Sequence, residues 1–390
     1  MPGEFVVLKP GKEKPVLHRH HWIFSGAIQS LPKFADGDIL PVRSSQGAFL
    51  GRGYFNRKSS IIGRMLAFDD TPPLEVIRRN IDGAASFRET LFDPMITNAY
   101  RLINGEGDRL PGLIVDRYDK LLVIQISTLG MERLKDTVVS ILQERCRPEA
   151  IYEKSTLPSR REEGLHDLSG WLSGRPVEEV EVRENGLRFL IAPEQGQKTG
   201  FFLDHRDMRQ LVRTLAAGKR VLNAFAYTGG FTVYALAGGA SSVDSVDISG
   251  QAVEMARRHV VLNGFDAGQQ GFYTADVFQF LRERELNYDL VVLDPPAFAK
   301  RKKDVISACR GYKDINRLAM QKMGSKTLLL TCSCSHHVDE GLFQQVVFQA
   351  ASEAKRNVRI IGRHRLAPDH PVNIFHPESD YLKSFLLYLD

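Results

Sequence analysis

The chain predicts an α/β fold of the Rossmann-like kind in its carboxyl-terminal half, preceded by an all-β barrel and a small α+β region. Three observations carry this. Val221-Leu222 reads as a buried strand, Thr228-Gly-Gly230 as a turn that lets backbone approach a ligand, and Phe231 to Leu236 as the start of a helix. Three carboxylates then follow at strand ends: Asp247, Asp276 and Asp294. At the other end of the chain, short apolar runs alternate with Gly, Pro, Asn and Asp, the pattern of a small barrel.

The barrel runs are Glu4 to Leu8, Asp38 to Val42, Ala48 to Tyr54 and Ser60 to Leu66. From Met1 to Phe68 there are ten Lys or Arg against four acids, so this segment carries +6 of a total of +5 and the remainder carries −1. Such asymmetry points to a polyanionic partner; the bland alternative is a solvated basic surface. His18 to Phe24 (His-Arg-His-His-Trp-Ile-Phe) invites a metal, but the sequence shows no completing cluster downstream. The expectation is no metal, with Trp22 and Phe24 in the core.

The middle region begins near Thr71-Pro-Pro73. Leu74 to Phe92 has helical spacing, Leu113 to Ile126 reads as a hairpin around Asp119-Lys120, and Met131 to Arg145 as a helix. Ser155 to Arg175 is polar and punctuated, with Arg160 to Glu163 expected on a loop, and Glu184 to Leu187 reads as a turn. These breaks divide the chain into residues 1–70, 71–185 and 186–390.

In the last region, Asp247 closes the strand-like run Ser242 to Ile248, where an acid commonly binds ribose hydroxyls. Tyr288 to Phe298 is an apolar strand ending in Asp294-Pro-Pro296, and proline forces the chain out of the sheet at the strand's carboxyl end. The loop lacks both Gly-x-Gly-x-x-Gly and the Gly-Lys-Ser/Thr of a phosphate loop. S-adenosylmethionine, which carries no phosphate, fits better than a dinucleotide. The alternative for each single aspartate is a helix cap.

At 390 residues, two or three domains are expected, and 43% apolar with 25% charged residues is ordinary for globular proteins. No apolar run approaches a membrane span, and charges stand where a secretory signal would have its apolar core, so a cytoplasmic protein without membrane contact is expected. Cys146, Cys309, Cys332 and Cys334 show neither disulfide nor metal spacing. A functional cysteine would act as a thiol.

Several phrases resemble one family: Gln197 to Arg206 (Gln-Lys-Thr-Gly-Phe-Phe-Leu-Asp-His-Arg), Asn223 to Phe231, Asp294 to Phe298, Arg310 to Asn316 and Ser333-Cys-Ser335. The chain is similar, nearly end to end, to the bacterial RlmI-type methyltransferases, which modify carbon 5 of a cytosine in 23S ribosomal RNA. The resemblance implies a PUA barrel, a central α+β domain and a Rossmann-like methyltransferase using S-adenosylmethionine. Its expected cofactor contacts are Asn223, Phe225, Tyr227, Thr228, Gly229, Asp247, Ile248, Asp276, Val277 and Asp294. Asn223 stands where many methyltransferases carry an acid.

Carbon 5 of cytosine is a poor nucleophile, and a thiolate adding to carbon 6 would make carbon 5 electron-rich. Thr327 to Ser335 is an apolar strand running into polar residues, and a period of two leaves Cys332 and Cys334 as alternatives. The Ser-Cys-Ser match falls on Cys334, which the resemblance makes the nucleophile, with Asp294 orienting the base. Lys300, Arg301, Lys302 and Lys303 follow the Asp294 loop and are the expected phosphate contacts. The rival readings are an rRNA guanine methyltransferase that needs no thiol and a non-catalytic RNA-binding assembly factor. Oligomeric state stays open, a homodimer being one option.

Overall fold

The computed structural model describes residues 4–299 and 301–390. The chain forms two compact units: Met1–Gly186 with Leu190–Asp204 and Pro368–Ser379, and Leu187–Phe189 with His205–Ala367 and Asp380–Asp390.

In the first unit, Val6–Leu8, Trp22–Ile23, Ile28–Ser30, Ile39–Arg43, Phe49–Phe55 and Gly63–Ala67 form a six-stranded sheet. All four anticipated runs are strands; the segments at Trp22 and Ile28 join them. Val6, Leu8, Ile23, Val42, Phe55 and Met65 pack into its core. Alternation decides the aromatic stretch differently from expectation: Ile23 is buried, Trp22 is half-buried with its indole donating to Glu106 at 2.8 Å, and Phe24 is 50% exposed. The core therefore takes Ile23 rather than its two aromatic neighbours.

The helix Pro73–Leu91 (α1) buries Ile77, Ile81, Ala84 and Ala85 against a second, five-stranded sheet, Ala99–Asn104, Leu113–Tyr118, Leu121–Ile126, Ala150–Ser155 and Leu168–Ser173. Asp119 turns the expected hairpin at φ +56. The stretch expected as a loop after Ser155 instead holds a short helix, Pro158–Glu162, and the edge strand Leu168–Ser173, paired antiparallel to Ala150–Ser155. An edge strand needs only one apolar side and reads as polar in sequence. The expected helix from Met131 is interrupted at Leu134, between Leu129–Arg133 and Lys135–Cys146.

The second unit holds a seven-stranded sheet. Its strands are β1 (Arg220–Ala224), β2 (Ser242–Asp247), β3 (Gly271–Thr274), β4 (Leu290–Leu293), β5 (Thr327–Ser333), β6 (Val358–His364) and β7 (Lys383–Leu389), in the order β3-β2-β1-β4-β5-β7-β6. The first five pair in parallel, and β7 runs antiparallel between β5 and β6. Every residue of β4 is buried, as expected where helices cover both faces. Helices Arg206–Leu215 (α2), Gly230–Ala237 (α3), Gly250–Leu262 (α4), Val277–Glu283 (α5), Val305–Lys322 (α6) and Glu340–Ala354 (α7) surround it. The strand order reverses between β1 and β4, and a crevice opens beyond the carboxyl ends of strands at such a point.

Candidate active site

The loop after β1 forms one wall of this crevice. Phe225 and Tyr227 take left-handed backbone angles, φ +60 and +46, before Gly229 at φ +76. Such angles cost side-chain-bearing residues about 1–3 kcal/mol each and persist where the surroundings impose them. Asp247, at the end of β2, does so: Oδ2 accepts the Tyr227 amide at 2.8 Å and Oδ1 the Ser249 amide at 2.9 Å. A Cβ on Gly229 would lie 2.6 Å from the Ala256 Cβ of α4, so only glycine permits this approach. His259 Nδ1 lies 2.8 Å from the Thr228 carbonyl oxygen and holds the loop from behind.

The other anticipated cofactor residues lie around the same edge. Ile248 follows Asp247 and is 74% exposed, an apolar surface beside a carboxylate. Asp276 caps α5, its Oδ1 accepting the Gln279 amide at 2.9 Å, while Val277 is buried. Asn223 is fully buried; its Nδ2 donates to Thr232 Oγ1 at 2.9 Å, which lies 2.7 Å from Ser245 Oγ. That chain of hydrogen bonds ties β1 to α3 and β2.

The loops after β4 and β5 make the second wall. The Asp294 amide bonds the Ala224 carbonyl at 3.4 Å, linking the two walls across adjacent strands. Cys334 Sγ lies 3.9 Å from the Pro295 carbonyl, so its thiol borders the Asp294-Pro-Pro turn. Ser335 clamps the pair of loops: its Oγ accepts the Ala299 amide at 3.1 Å and lies 2.8 Å from the Tyr312 hydroxyl. Burial pushes the Tyr312 phenol up, keeping it neutral as a partner for Ser335. Lys383, opposite Ser333 across the β5–β7 pairing, is buried and donates to the Ser335 and Tyr381 carbonyls at 2.8 and 2.7 Å. Burial lowers its pKa, and Cys334 is the largest influence opposing that shift.

Cys332 is fully buried, its thiol 3.8 Å from Met208 Sδ, whereas Cys334 lies past the strand end and is partly exposed. Strand alternation alone could not separate them; termination of β5 at Ser333 does. His205 is the residue that sequence reasoning left without a role. Its Nδ1 lies 3.6 Å from Asp294 Oδ2, and its ring packs edge-on to Phe231. It stands inside the phrase Gln197 to Arg206, the one signal that could have singled it out.

Among the described residues, two groups bring potential metal-ligand atoms within 4.8 Å of one another: His205, Asp294 and Cys332 here, and His20, His376 and Glu378 in the first unit. The His18 to Phe24 stretch thus acquires partners that the sequence did not reveal. Of this second group, His20 Nδ1 accepts the Trp22 amide at 3.1 Å and its Nε2 lies 3.1 Å from Glu378 Oε1, while neither ring nitrogen of His376 has a hydrogen-bond partner among the described residues. Of the basic run after Phe298, Arg301, Lys302 and Lys303 are exposed; Lys300 lies outside the described residues.

A family model for S-adenosylmethionine-dependent methyltransferases matches residues 160–374, and one for a PUA-like domain matches residues 6–68. The chain is 42% identical over 393 residues to ribosomal RNA large subunit methyltransferase I of Photobacterium profundum, covering 98% of this chain and 99% of that one. The chain belongs to the ribosomal RNA large subunit methyltransferase I family. The Alteromonas mediterranea relative is 40% identical over 387 residues, with 98% of both chains covered. A proposed SAM-dependent methyltransferase from Streptococcus mutans shares the fold at TM-score 0.84 and 24% identity, over 98% of this chain and 99% of that one. SMU.776, complexed with SAH, superposes at TM-score 0.86, with the same identity and coverage. The fold is thus a PUA-like domain followed by a Rossmann-like methyltransferase domain, and the methyl donor is S-adenosylmethionine. Among the described residues, no helix is long and apolar enough to cross a membrane.

Proposed function

We propose that this family member methylates carbon 5 of a cytosine in 23S ribosomal RNA through a covalent Cys334 adduct. The observation that carries the reading is the partly exposed Cys334 thiol beside the Asp294-Pro-Pro turn, 3.9 Å from the Pro295 carbonyl. Asp247 and Asp276, with the Phe225 to Gly229 loop and Ile248, hold the cofactor: the Gly229 cradle admits close backbone approach, and Asp247 keeps lone pairs beyond those its two amides use. S-adenosylmethionine supplies an electrophilic methyl group there. Cys334, as thiolate, forms a bond to carbon 6 and shifts the electron pair of the ring double bond toward carbon 5, and Asp294 accepts a hydrogen bond from the cytosine amino group. After methylation a base takes the carbon-5 proton, the double bond re-forms and the carbon–sulfur bond breaks, returning the thiolate. The Lys383 ammonium favours the thiolate by its charge. Arg301, Lys302 and Lys303 reach phosphates of the RNA, with Lys300 beside them in sequence.

The test is mass spectrometry of nucleosides from 23S rRNA of a deletion strain and of the same strain complemented with the gene. One 5-methylcytidine should vanish and return; an unchanged 5-methylcytidine content with loss of a methylguanosine would transfer the reading to the guanine-directed rival.

A further inference from the structure

A cavity of about 480 Å³ opens in the first unit, between the end of the N-terminal sheet and α1. Arg19, Arg79 and Arg109 line it, all exposed, and none of the three forms an ion pair among the described residues. Arg19 and Arg109 are both held at φ +61, a conformation disfavoured for arginine. Strain of this sort gathers where a ligand is clamped. The acid on the lining is Asp69, whose carboxyl the Thr71 hydroxyl and amide hold below the usual range. Three cations face one anion, so the cavity favours an anionic guest.

Two buried acceptors on the same lining add a second requirement. His21 Nδ1 lies 2.8 Å from the Met65 carbonyl and so carries the ring proton, while burial lowers the pKa to about 4 and keeps the ring neutral. Its Nε2 is buried, and among the described residues nothing donates to it. Asn80 Nδ2 donates to the Arg109 carbonyl at 3.0 Å, which leaves Asn80 Oδ1 in the same condition. Buried polar atoms are normally satisfied, and these two acceptors belong to residues that line the cavity. A phosphodiester offers oxygens but no hydrogen-bond donors, and deoxyribose within a strand offers none either. A ribose 2′-hydroxyl beside its phosphodiester offers both. Phe375, 47% exposed on the rim, presents a ring on which an unpaired base can stack.

We infer that this cavity is a clamp for the ribose–phosphate backbone of an unpaired RNA strand, with the three arginines on phosphate and His21 and Asn80 accepting from ribose hydroxyls. The inference rests on the RNA-directed reading above.

The test uses the full chain, a fluorescein-labelled single-stranded RNA of mixed sequence and DNA of the same sequence, with affinity measured by anisotropy across a salt series. Replacing all three arginines (R19Q, R79Q and R109Q together) should lower the slope of log affinity against log salt by about 2, from about 0.7 for each phosphate contact of a single strand. S-adenosylmethionine affinity, measured in parallel, should stay unchanged and reports folding. Asp69→Asn should tighten RNA binding, and Asn80→Ala should narrow the preference for RNA over DNA. An unchanged slope in the triple variant, with wild-type cofactor affinity, overturns the clamp while leaving the RNA reading intact. Failure of the wild-type protein to bind RNA overturns the RNA reading itself. Competition by inorganic phosphate as effective as by RNA overturns the assignment to a ribose backbone.

Discussion

At the carboxyl edge of the second unit's sheet, residues that face one another come from the ends of adjacent parallel strands, whereas the cavity of the first unit gathers Arg19 and His21, Asp69, Arg79 and Asn80, Arg109 and Phe375 from distant stretches. In the sheet, a parallel register brings strand ends level, so β1, β2, β4 and β5 deliver Phe225, Asp247, Asp294 and Cys334 to one rim. Each of those positions is announced by its own strand. In the first unit no short segment announces the cavity, because its walls exist only after two sheets and a helix have packed. The lesson is that chemistry written into strand ends can be read locally, while a charged cavity between packed layers cannot.

The largest effect is expected at Cys334. Cys334→Ala should abolish methyl transfer while leaving cofactor affinity and the salt dependence of RNA binding unchanged, and Cys332→Ala should keep substantial activity. An RNA with 5-fluorocytosine at the target should trap the wild-type enzyme, since fluorine cannot leave as a proton does, and peptide mapping should find the adduct on Cys334. Near-wild-type turnover of Cys334→Ala would remove the covalent step from the reading.

Arg64→Met should produce the reverse profile, a loss of stability that spares the cofactor site's chemistry. Arg64 pairs with Glu163 at 2.8 Å, both almost wholly buried, and Asn56 donates to the same carboxylate. Breaking a buried pair from one side strands the other charge at a cost of about 3–5 kcal/mol, seen as a lower urea midpoint. The same contacts make removal of Met1–Phe68 a poor test of RNA binding, because it would strand Glu163; point changes of surface charge are the cleaner instrument.

His21 makes the first unit's stability depend on pH. Its folded pKa of about 4 lies below the ordinary 6.5, so the unfolded chain takes up a proton that the folded chain refuses. This contribution to stability is full above pH 6.5 and is lost as pH falls from 6.5 toward 4, amounting to about 3 kcal/mol at the acid end. Urea unfolding at pH 7.5 and 4.5 should show a smaller drop for His21→Gln than for wild type; equal drops would show that the ring titrates normally in the folded state.

The smallest expected effect is at Asp247. Asp247→Ala should weaken S-adenosylmethionine binding by about 1.5–3 kcal/mol, roughly ten- to more than a hundredfold, in a folded protein. Since Asp247 also holds the Tyr227 and Ser249 amides, Asp247→Asn, which keeps one acceptor oxygen, should lose less. Calorimetric titration giving wild-type affinity for the alanine variant would reduce Asp247 to a loop support.

Much of the second unit was legible residue by residue. The β1 strand, the glycine turn and α3 follow from an apolar run, a required positive φ at Gly229 and helical periodicity, all local properties of the chain. The acids at strand ends were equally plain, but their duties were not: Asp276 caps α5, as aspartates often do, and Asp247 spends an oxygen on each of two amides. The polar stretch after Ser155 hid an edge strand, and Phe24 lies outside the core that its apolarity suggested.

By itself, then, the sequence determined the order of the layers, the loops at the carboxyl edge and the basic bias of the first 68 residues, because period, turn chemistry and charge act over a few residues. Tertiary structure decided which cysteine stays reachable, that His205 stands beside Asp294, that His376 and Glu378 return to His20, and that Arg19, Arg79 and Arg109 meet His21 and Asn80 on one lining. Those are distances between residues far apart in the chain, and they are set by strand register and by packing of the layers, which no local pattern encodes.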